Sequence, residues 1–414
     1  MLVPRPILML ALVSTSFLAI GCKPSTPPAT AITPAPAMAE GTPATEAECK
    51  QFAAALEKAA RERNRAEFDK LLSLEELFVR CVSDIKMPSG QSQTLVSTAR
   101  ARAKDNTLAQ QIWHELENKG SYHLLRVHSV DGRWRALFRL YGDDSGVNYH
   151  DIVVARLPNG QLGMEDIYVF AAGEMMTHLM RRIMLPLFAE MNRGILDELR
   201  GTDKLYVNNL GNLQAMTTAV KARDSAKATA KYKLLPVELR EQKAILLMYI
   251  TVLDPEDDNY AKALGDFRRL FPTDPAVDFH SIDYHLLKKD YAQSIECIDK
   301  TQKSIGGDAY LDVLRANVLL EAGRMPEAAA SAEKAVAAEP DMTQAYWSRI
   351  TIALKEKKHK DTRTWLQKLV EHTDEAIDDL TKVDAYADFV KSPEHGAWLK
   401  WYAAFKKKAG DEKE

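Results

Sequence analysis

Tyrosine and aspartate alternate on two neighbouring stretches of this chain, and the pairing is its nearest approach to a reactive site. Tyr149 and Asp151 are two residues apart, and so are Asp166 and Tyr168. Residues two apart lie on the same face of a β-strand. A tyrosine hydroxyl can donate a hydrogen bond while an aspartate in an apolar site acts as a base. The spacing therefore indicates a candidate acid–base pocket on a sheet.

The same stretch is rich in arginine, which leaves two other interpretations open. In one, arginines and carboxylates form cross-strand ion pairs on a solvated sheet. In the other, Arg135 and Arg139 line a pocket for an anionic ligand. Cross-strand pairing is preferred because Tyr-x-Asp alternation is common and no residue fixes a catalytic geometry. The remaining charged residues in these interpretations are Arg126, Arg156 and Glu165, and His123, His128 and His150 are also nearby.

Motifs for other chemistry are missing from the sequence. It contains no HExxH, no GxSxG elbow, no Walker glycine loop and no GxGxxG. His280 and His285 are five positions apart, which places them on different faces of a helix. We therefore expect no metal site, no cofactor and no catalytic activity.

The elements that position these residues follow from periodicity. Helical spacing covers residues 46–85 and 94–118, and four strand-like segments follow, SYHLLRVHSV, RWRALFRLYG, VNYHDIVVARL and QLGMEDIYVFAA. Turn signals separate the strands, among them Asp131-Gly132. In the second strand, alternate residues are apolar and arginine-rich, which predicts one buried and one polar face. The fold class expected for this half is α+β, with helices and a curved four-stranded antiparallel meander.

Helices followed by such a meander resemble the nuclear transport factor 2-like fold. The resemblance is carried by NYHDIVVARLPNG and GMEDIYVFAAGE, and it holds at the level of fold across the region 47–200. Ketosteroid isomerases of this fold use a tyrosine donor and an aspartate base, so the resemblance keeps the acid–base pocket open. The fold also hosts carriers and interaction modules, so it does not imply one function.

Residues 323–340 read GRMPEAAASAEKAVAAEP and mark one half of a repeating unit. The stretch 289–306, one period of 34 earlier, keeps the same phase, with Ser294 at the place of Ala328. Such periods are typical of stacked helical hairpins, which bury their apolar faces only against neighbours. The alternative is a helical domain without repeats. The residues that define the phase are Gly323, Ala328, Ala335 and Pro340.

This phase resembles a tetratricopeptide array, an all-α solenoid of about four units at 241–274, 275–308, 309–342 and 343–376. In such arrays the second, fifth and ninth positions of each unit face a partner. The alternative is that several of these residues belong to the core. The groove residues that the resemblance implies are Ile245, Tyr249, Phe279, Asp283, Tyr310, Asn317 and Trp347.

The segment 1–22, MLVPRPILMLALVSTSFLAIGC, has the layout of a signal peptide. The apolar run 7–20 is too short to cross a ~30 Å hydrocarbon core as a helix. LAIGC resembles a bacterial lipobox, which implies a lipidated Cys22, although Ala19 stands where leucine is usual. An ordinary secreted protein or an uncleaved anchor is the alternative. By resemblance to enterobacterial lipoproteins, Lys23 favours the outer membrane.

Three further cysteines lie in the folded part of the chain, and an exported location permits disulfides. Antiparallel packing of two helices would bring Cys49 and Cys81 together, which leaves a disulfide and two free thiols both open. Cys297 has the setting of a buried helix residue.

The chain therefore divides into six predicted segments. They are a signal peptide at 1–21, a disordered Pro/Ala/Thr tether at 22–46, the α+β domain at 47–200, a helical connector at 201–240, the repeats at 241–376, and a capping helix with a charged tail at 377–414.

These features predict a membrane-tethered scaffold of the bacterial cell envelope, on the periplasmic face of the outer membrane. Its helical groove would bind a protein or peptide, and the α+β domain would be a second interaction module. The alternative is a small-molecule-binding protein or enzyme that uses the sheet pocket. The formal net charge of −3, from 55 basic and 58 acidic residues, argues against nucleic-acid binding.

Overall fold

A computed structural model of the chain confirms an antiparallel sheet followed by many helices. The structure describes residues 41–81, 96–97, 100–101, 103, 107–143, 145–182, 201–254 and 257–411. The predicted signal peptide, most of the tether and Cys22 lie outside the described residues. The described chain divides into two compact units after His280.

The sheet belongs to the first unit, and its four long strands form a meander in chain order. They are the four strands that the alternating pattern predicts. Two short strands extend the sheet, so the strand order is β2-β3-β4-β5-β6, with β1 paired to β4. The strands are β1 Thr42–Pro43, β2 Ser121–Val130, β3 Arg133–Gly142, β4 Gly146–Arg156, β5 Leu162–Val169 and β6 Glu174–Met175.

The hairpin between β2 and β3 shows why the meander could be recognised locally. Asp131 and Gly132 both have positive φ, 50° and 75°, and Val130 pairs directly with Arg133. A two-residue loop with positive φ at both positions matches the right-handed twist of the flanking strands. Asp-Gly supplies that conformation at low steric cost, so the turn fixes the register of the hairpin.

Four described helices pack with one face of the sheet in a common apolar core. The first helix begins at Thr45 in a capping box, where the Glu48 amide donates to Thr45 Oγ1 over 3.3 Å and the Thr45 amide donates to Glu48 Oε2 over 2.8 Å. Phe52, Leu56 and Phe68, which follow the helical spacing of this stretch, are buried. These helices are α1 Glu46–Arg61, α2 Arg65–Leu71, α3 Glu75–Arg80 and α4 Thr107–Glu117.

More helices follow within the first unit. They include the stretch predicted as a connector and the first predicted repeat, so the unit extends beyond the predicted bounds at 200 and 240. They are α5 Gly201–Asn208, α6 Leu210–Lys221, α7 Ser225–Lys233, α8 Val237–Arg240, α9 Lys243–Ile250 and α10 Asp258–Leu270, with α11 Pro275–Leu287 crossing the division between the units.

Helix bounds in the second half recur at the period of 34 that the sequence indicates. The first helices of three successive pairs begin at Pro275, Ala309 and Thr343, and the second helices begin at 291, 325 and 359. The turn residues Lys289, Gly323 and Lys357 keep the same spacing, and all three have positive φ. The helices after α11 are α12 Tyr291–Ile305, α13 Ala309–Glu321, α14 Met325–Ala338, α15 Thr343–Lys355 and α16 His359–His372.

The last helices of the described chain contribute buried side chains to one apolar cluster of the second unit. A short helix, α17 Ala387–Val390, and a longer one, α18 Pro393–Asp411, follow the repeated helix pairs. Phe389 and Trp398 are fully buried in the cluster that also contains Trp365. Phe389 and Trp398 are thus core residues of this terminal segment, whereas Trp401 is half-buried and packs against the cluster.

Candidate functional site

The predicted sheet-pocket residues share one face of the sheet. Arg139 pairs directly with Tyr149, and Asp151 pairs with Tyr168. Arg135 and Asp166 both lie opposite Val153, from the two neighbouring strands. The alternation in the sequence therefore places these residues correctly, and the question becomes whether they enclose a space.

Tyr149 fills the centre of this face with its own ring. It is fully buried, and it contacts Phe170 and Phe279 edge to face, with ring centroids 5.5 Å and 5.4 Å away. Phe279 comes from α11, and the neighbouring His280 approaches the Phe170 carbonyl within 3.2 Å. Tyr149 therefore acts as a core residue here, where it cannot reach a ligand.

Asp151 is held by a histidine and an arginine of the sheet. His128 Nε2 lies 2.8 Å from Asp151 Oδ1, and Arg135 Nη1 lies 3.2 Å from Oδ2. Both carboxylate oxygens are thus engaged, one from β2 and one from β3. The pairing agrees with the alternative that the sequence favours over a catalytic base. The expectation of a solvated sheet face is wrong, because Asp151 is only 7% exposed.

Asp166 is also fully engaged. Its Oδ1 accepts the Ile167 and Thr177 amides at 2.8 Å and 3.1 Å, and its Oδ2 accepts the Thr177 hydroxyl at 2.5 Å. Arg80 Nη2 approaches the same carboxylate at 3.5 Å. A buried carboxylate with this many donors fixes the backbone around it and has no oxygen left for a substrate.

Tyr168 is fastened to the segment before α11. Its hydroxyl donates to Asp274 Oδ1 over 2.7 Å, and Lys243 forms an ion pair with the other oxygen of Asp274. Burial first, and the negative charge of Asp274 second, raise the pKa of the Tyr168 hydroxyl well above its ordinary value. The Tyr168 hydroxyl therefore keeps its proton and is a poor general acid in this setting. The predicted sheet pocket is therefore a set of packing and pairing contacts among the described residues.

A cleft of about 360 Å³ lies elsewhere in the first unit, and none of the predicted residues line it. Such a volume is within the range of small-ligand pockets. Its charges are largely paired with one another, because Arg182 contacts Glu174 and Arg181 Nη2 lies 2.9 Å from Asp203 Oδ2. The residues that matter to its chemistry are Glu174, Arg181, Arg182, Asp203, Tyr206 and Lys243.

The cleft contains one strongly desolvated cation. Burial lowers the pKa of Arg182, while the Tyr206 hydroxyl opposes that shift, and burial raises the pKa of Tyr206. The sequence patterns did not single out these residues, because they follow the sheet in a stretch with only helical spacing. Their one local signal is the Arg181-Arg182 pair beside an apolar run. Paired charges of this kind favour a structural network over an open binding site.

Metal ligands do not converge in the described part of the chain, where no group of three His, Cys, Asp or Glu side chains could hold an ion. In the same residues, no helix combines the length and apolar character that crossing a membrane requires.

Cys49 and Cys81 are both buried, and no disulfide joins them in the structure. The Cys81 thiol donates to the Phe78 carbonyl over 3.0 Å, which directs its sulfur along its own helix turn. Burial raises the pKa of Cys49 to about 12, so this thiol is not a nucleophile. Cys297 is buried, in agreement with its predicted setting.

Most of the residues implied for the groove are buried. Ile245, Tyr249, Phe279 and Tyr310 are between 0% and 8% exposed, which favours the core alternative for them, and Asp283 is 6% exposed. Asn317 and Trp347 are half-buried.

The fourth predicted unit differs from the others in this respect. Its second, fifth and ninth positions are Gln344, Trp347 and Thr351, and all three are half-buried. At the same positions of unit 309–342, Tyr310 and Val313 are buried. A partner would therefore find accessible groove positions mainly between residues 343 and 355.

Comparisons of the chain with protein families, with curated proteins and with solved structures give no match. Function is therefore inferred from the geometry of this chain alone.

Proposed function

We propose that the protein is a scaffold of the bacterial cell envelope that binds a protein or peptide on the helical repeats of its second half. In this proposal the repeats resemble a tetratricopeptide solenoid, and the α+β domain, with its nuclear transport factor 2-like order of elements, is a second interaction module. The protein has no catalytic role in this account, and it needs no cofactor.

The observation that carries the proposal is the regular recurrence of helix bounds from α11 to α16. Residues in equivalent places share the same environment: Ser294, Ala328 and Thr362 are all fully buried on the second helices. Small side chains at this position let two helices approach closely, which is what a stack of hairpins requires.

The binding surface in this proposal is the face of α15 that carries Gln344, Trp347 and Thr351. An aromatic residue beside polar side chains suits an extended or helical peptide, because the ring supplies apolar area and the polar groups fix orientation. The binding surface that we propose therefore lies in one of the four predicted units, the one at 343–376.

The tether and anchor belong to the same proposal. A lipidated Cys22 would hold the chain on a membrane, and the proline-rich segment that follows would separate the folded units from the surface. Lys23 favours the outer membrane, with the folded units in the periplasm.

Photo-crosslinking in the full chain tests the groove. A photoreactive residue at Thr351 should capture one recurrent partner from envelope fractions. The matched control is Thr364 on α16, because each threonine hydroxyl bonds a carbonyl four positions earlier in its helix, over 2.8 Å and 3.0 Å. Capture at Thr364 equal to that at Thr351, or capture at neither, would contradict the proposal.

The alternative is a small-molecule-binding protein, and the specific observation in its favour is the cleft of about 360 Å³. A metabolite that binds the full chain with micromolar affinity, and no longer binds the variant Arg182→Gln, would support that alternative. The pairing of Arg182 with Glu174 makes it the weaker candidate, because a ligand must displace an existing ion pair.

A further inference from the structure

The turn between α7 and α8 exposes large apolar side chains to an unusual degree. Four large hydrophobic residues are well exposed in the described part of the chain, and two of them, Leu234 at 60% and Val237 at 50%, lie at the two ends of this turn. The others, Leu287 and Leu399, are single residues on separate helices. Single exposed leucines are ordinary, whereas adjacent ones indicate an interaction surface.

The turn is held rigidly in this orientation. Leu235 and Leu239 point inward and are 3% and 0% exposed. The Tyr232 hydroxyl donates to the Arg240 carbonyl over 3.2 Å, which closes the turn from the inside. Leu234 and Val237 are therefore presented outward by packed neighbours, and a loose loop is not needed to explain their exposure.

Cations surround this apolar tip. Lys227, Lys231 and Leu234 are spaced at intervals of four and three, which places them on one side of α7. Lys227, Lys231 and Lys233 form no ion pair with any described residue. The segment 221–240 contains six basic and two acidic side chains, although the whole chain has a net charge of −3.

We propose that this surface, called the tip patch and made of Lys227, Lys231, Lys233, Leu234 and Val237, binds the surface of an anionic lipid bilayer. The two apolar side chains would enter the head-group region while the lysines attract anionic lipids. Each feature alone gives marginal binding, and their combination is typical of peripheral membrane attachment.

The exposure and the charges of the tip patch favour a bilayer over an acidic protein. Leu234 and Val237 are 60% and 50% exposed. Protein partners usually receive such anchors in a packed pocket while also supplying charges in fixed places. The lysines of the tip patch are point charges on flexible stems, which suit a fluid anionic surface. Within residues 227–240, Glu238 is the one acidic residue against the three lysines of the tip patch, and Glu241 and Asp266 lie near Tyr232. The inference does not depend on lipidation of Cys22.

A local probe in the full chain tests the inference. An environment-sensitive fluorophore is attached at Leu234→Cys in a Cys22→Ser background, because Cys49, Cys81 and Cys297 are buried. Vesicles of phosphatidylglycerol with phosphatidylcholine are compared with vesicles of phosphatidylcholine alone. The control carries the same fluorophore at Leu287→Cys, a single exposed leucine next to lysines.

The expected result is a blue-shifted emission at position 234 with anionic vesicles, quenched by a quencher within the bilayer, and little change with neutral vesicles or at position 287. The triple variant Lys227→Gln, Lys231→Gln, Lys233→Gln should need at least ~10-fold more lipid, because each lysine near such a surface gives about 1 kcal/mol. Circular dichroism of this variant is the control for correct folding.

Three results would overturn the inference. They are no emission change with either vesicle, an equal change with neutral vesicles or at position 287, and a change caused by soluble polyglutamate but not by vesicles. The last of these would identify an acidic polypeptide as the partner.

Discussion

At the scale of single residues, two buried histidines of the first unit, His150 and His280, matter most for the stability of the fold. His150 Nε2 lies 3.2 Å from the side-chain nitrogen of Asn148, whose oxygen already accepts the Tyr149 and Ala171 amides over 2.9 Å. The amide of Asn148 therefore donates to Nε2, so the proton of the neutral ring is on Nδ1, toward the Tyr122 hydroxyl. A second proton on Nε2 would face this donor, and burial lowers the pKa of His150 to about 3.

These histidines predict a loss of stability in weak acid. Burial lowers the pKa of His280 to about 4, whereas an unfolded histidine has a pKa of about 6.5. Below pH 6.5 the unfolded chain therefore binds more protons than the folded chain. The unfolding free energy is at its full value above pH 6.5. As the pH falls from 6.5 toward the folded pKa, each buried histidine lowers the unfolding free energy by about 1.4 kcal/mol per pH unit.

Denaturant unfolding at several pH values between 5 and 7.5 measures this effect. The variant His280→Gln should reduce the slope of unfolding free energy against pH by about 1 kcal/mol per unit. The matched control is His114→Gln, which removes a histidine that the fold leaves exposed. Equal slopes for the wild type and the His280 variant would contradict the assignment of a neutral buried ring.

At the scale of elements, the close approach of paired helices is the feature to test. Ala328 on α14 is fully buried in a cluster with Ala316 and Leu320, both from α13. The variant Ala328→Leu should lower the unfolding free energy by about 1–3 kcal/mol, since a larger side chain in a packed site forces the helices apart.

Ala330 provides the control within the same helix. It is exposed, and Ala330→Leu should change the unfolding free energy by less than about 0.5 kcal/mol. Denaturant titrations of both variants make the comparison. If Ala328→Leu is as stable as Ala330→Leu, the helices are not closely packed at this position.

Local sequence signals predicted the elements well, because their causes are local. The Asp131-Gly132 turn sets a hairpin by its own dihedral angles, and the repeat phase follows from small residues that recur at fixed places. The burial of Tyr149 was not predictable in this way, since Phe279, which packs against it, comes from a helix far along the chain. Alternation places a side chain on a face of the sheet and does not say what covers that face.

At the scale of the whole molecule, membrane attachment has two proposed components. Lipidation of Cys22 resists salt, whereas the charge component of the tip patch is screened by it. We expect Cys22→Ser to convert the protein from a form released only by detergent into a form released by about 0.5 M salt. Fractionation of cells followed by salt and detergent extraction measures this. Unchanged association of the variant after a salt wash would contradict lipidation.

The central claim is that the face of α15 binds a partner. The most direct test is the affinity of the full chain for the partner that is captured by crosslinking at Thr351. Titration calorimetry should compare the full chain with Thr351→Arg and with the control Thr364→Arg. A large charged side chain in the groove should weaken the affinity at least ~10-fold, about 1.4 kcal/mol, while the control keeps the wild-type affinity. An unchanged affinity for a folded Thr351→Arg variant would contradict the claim.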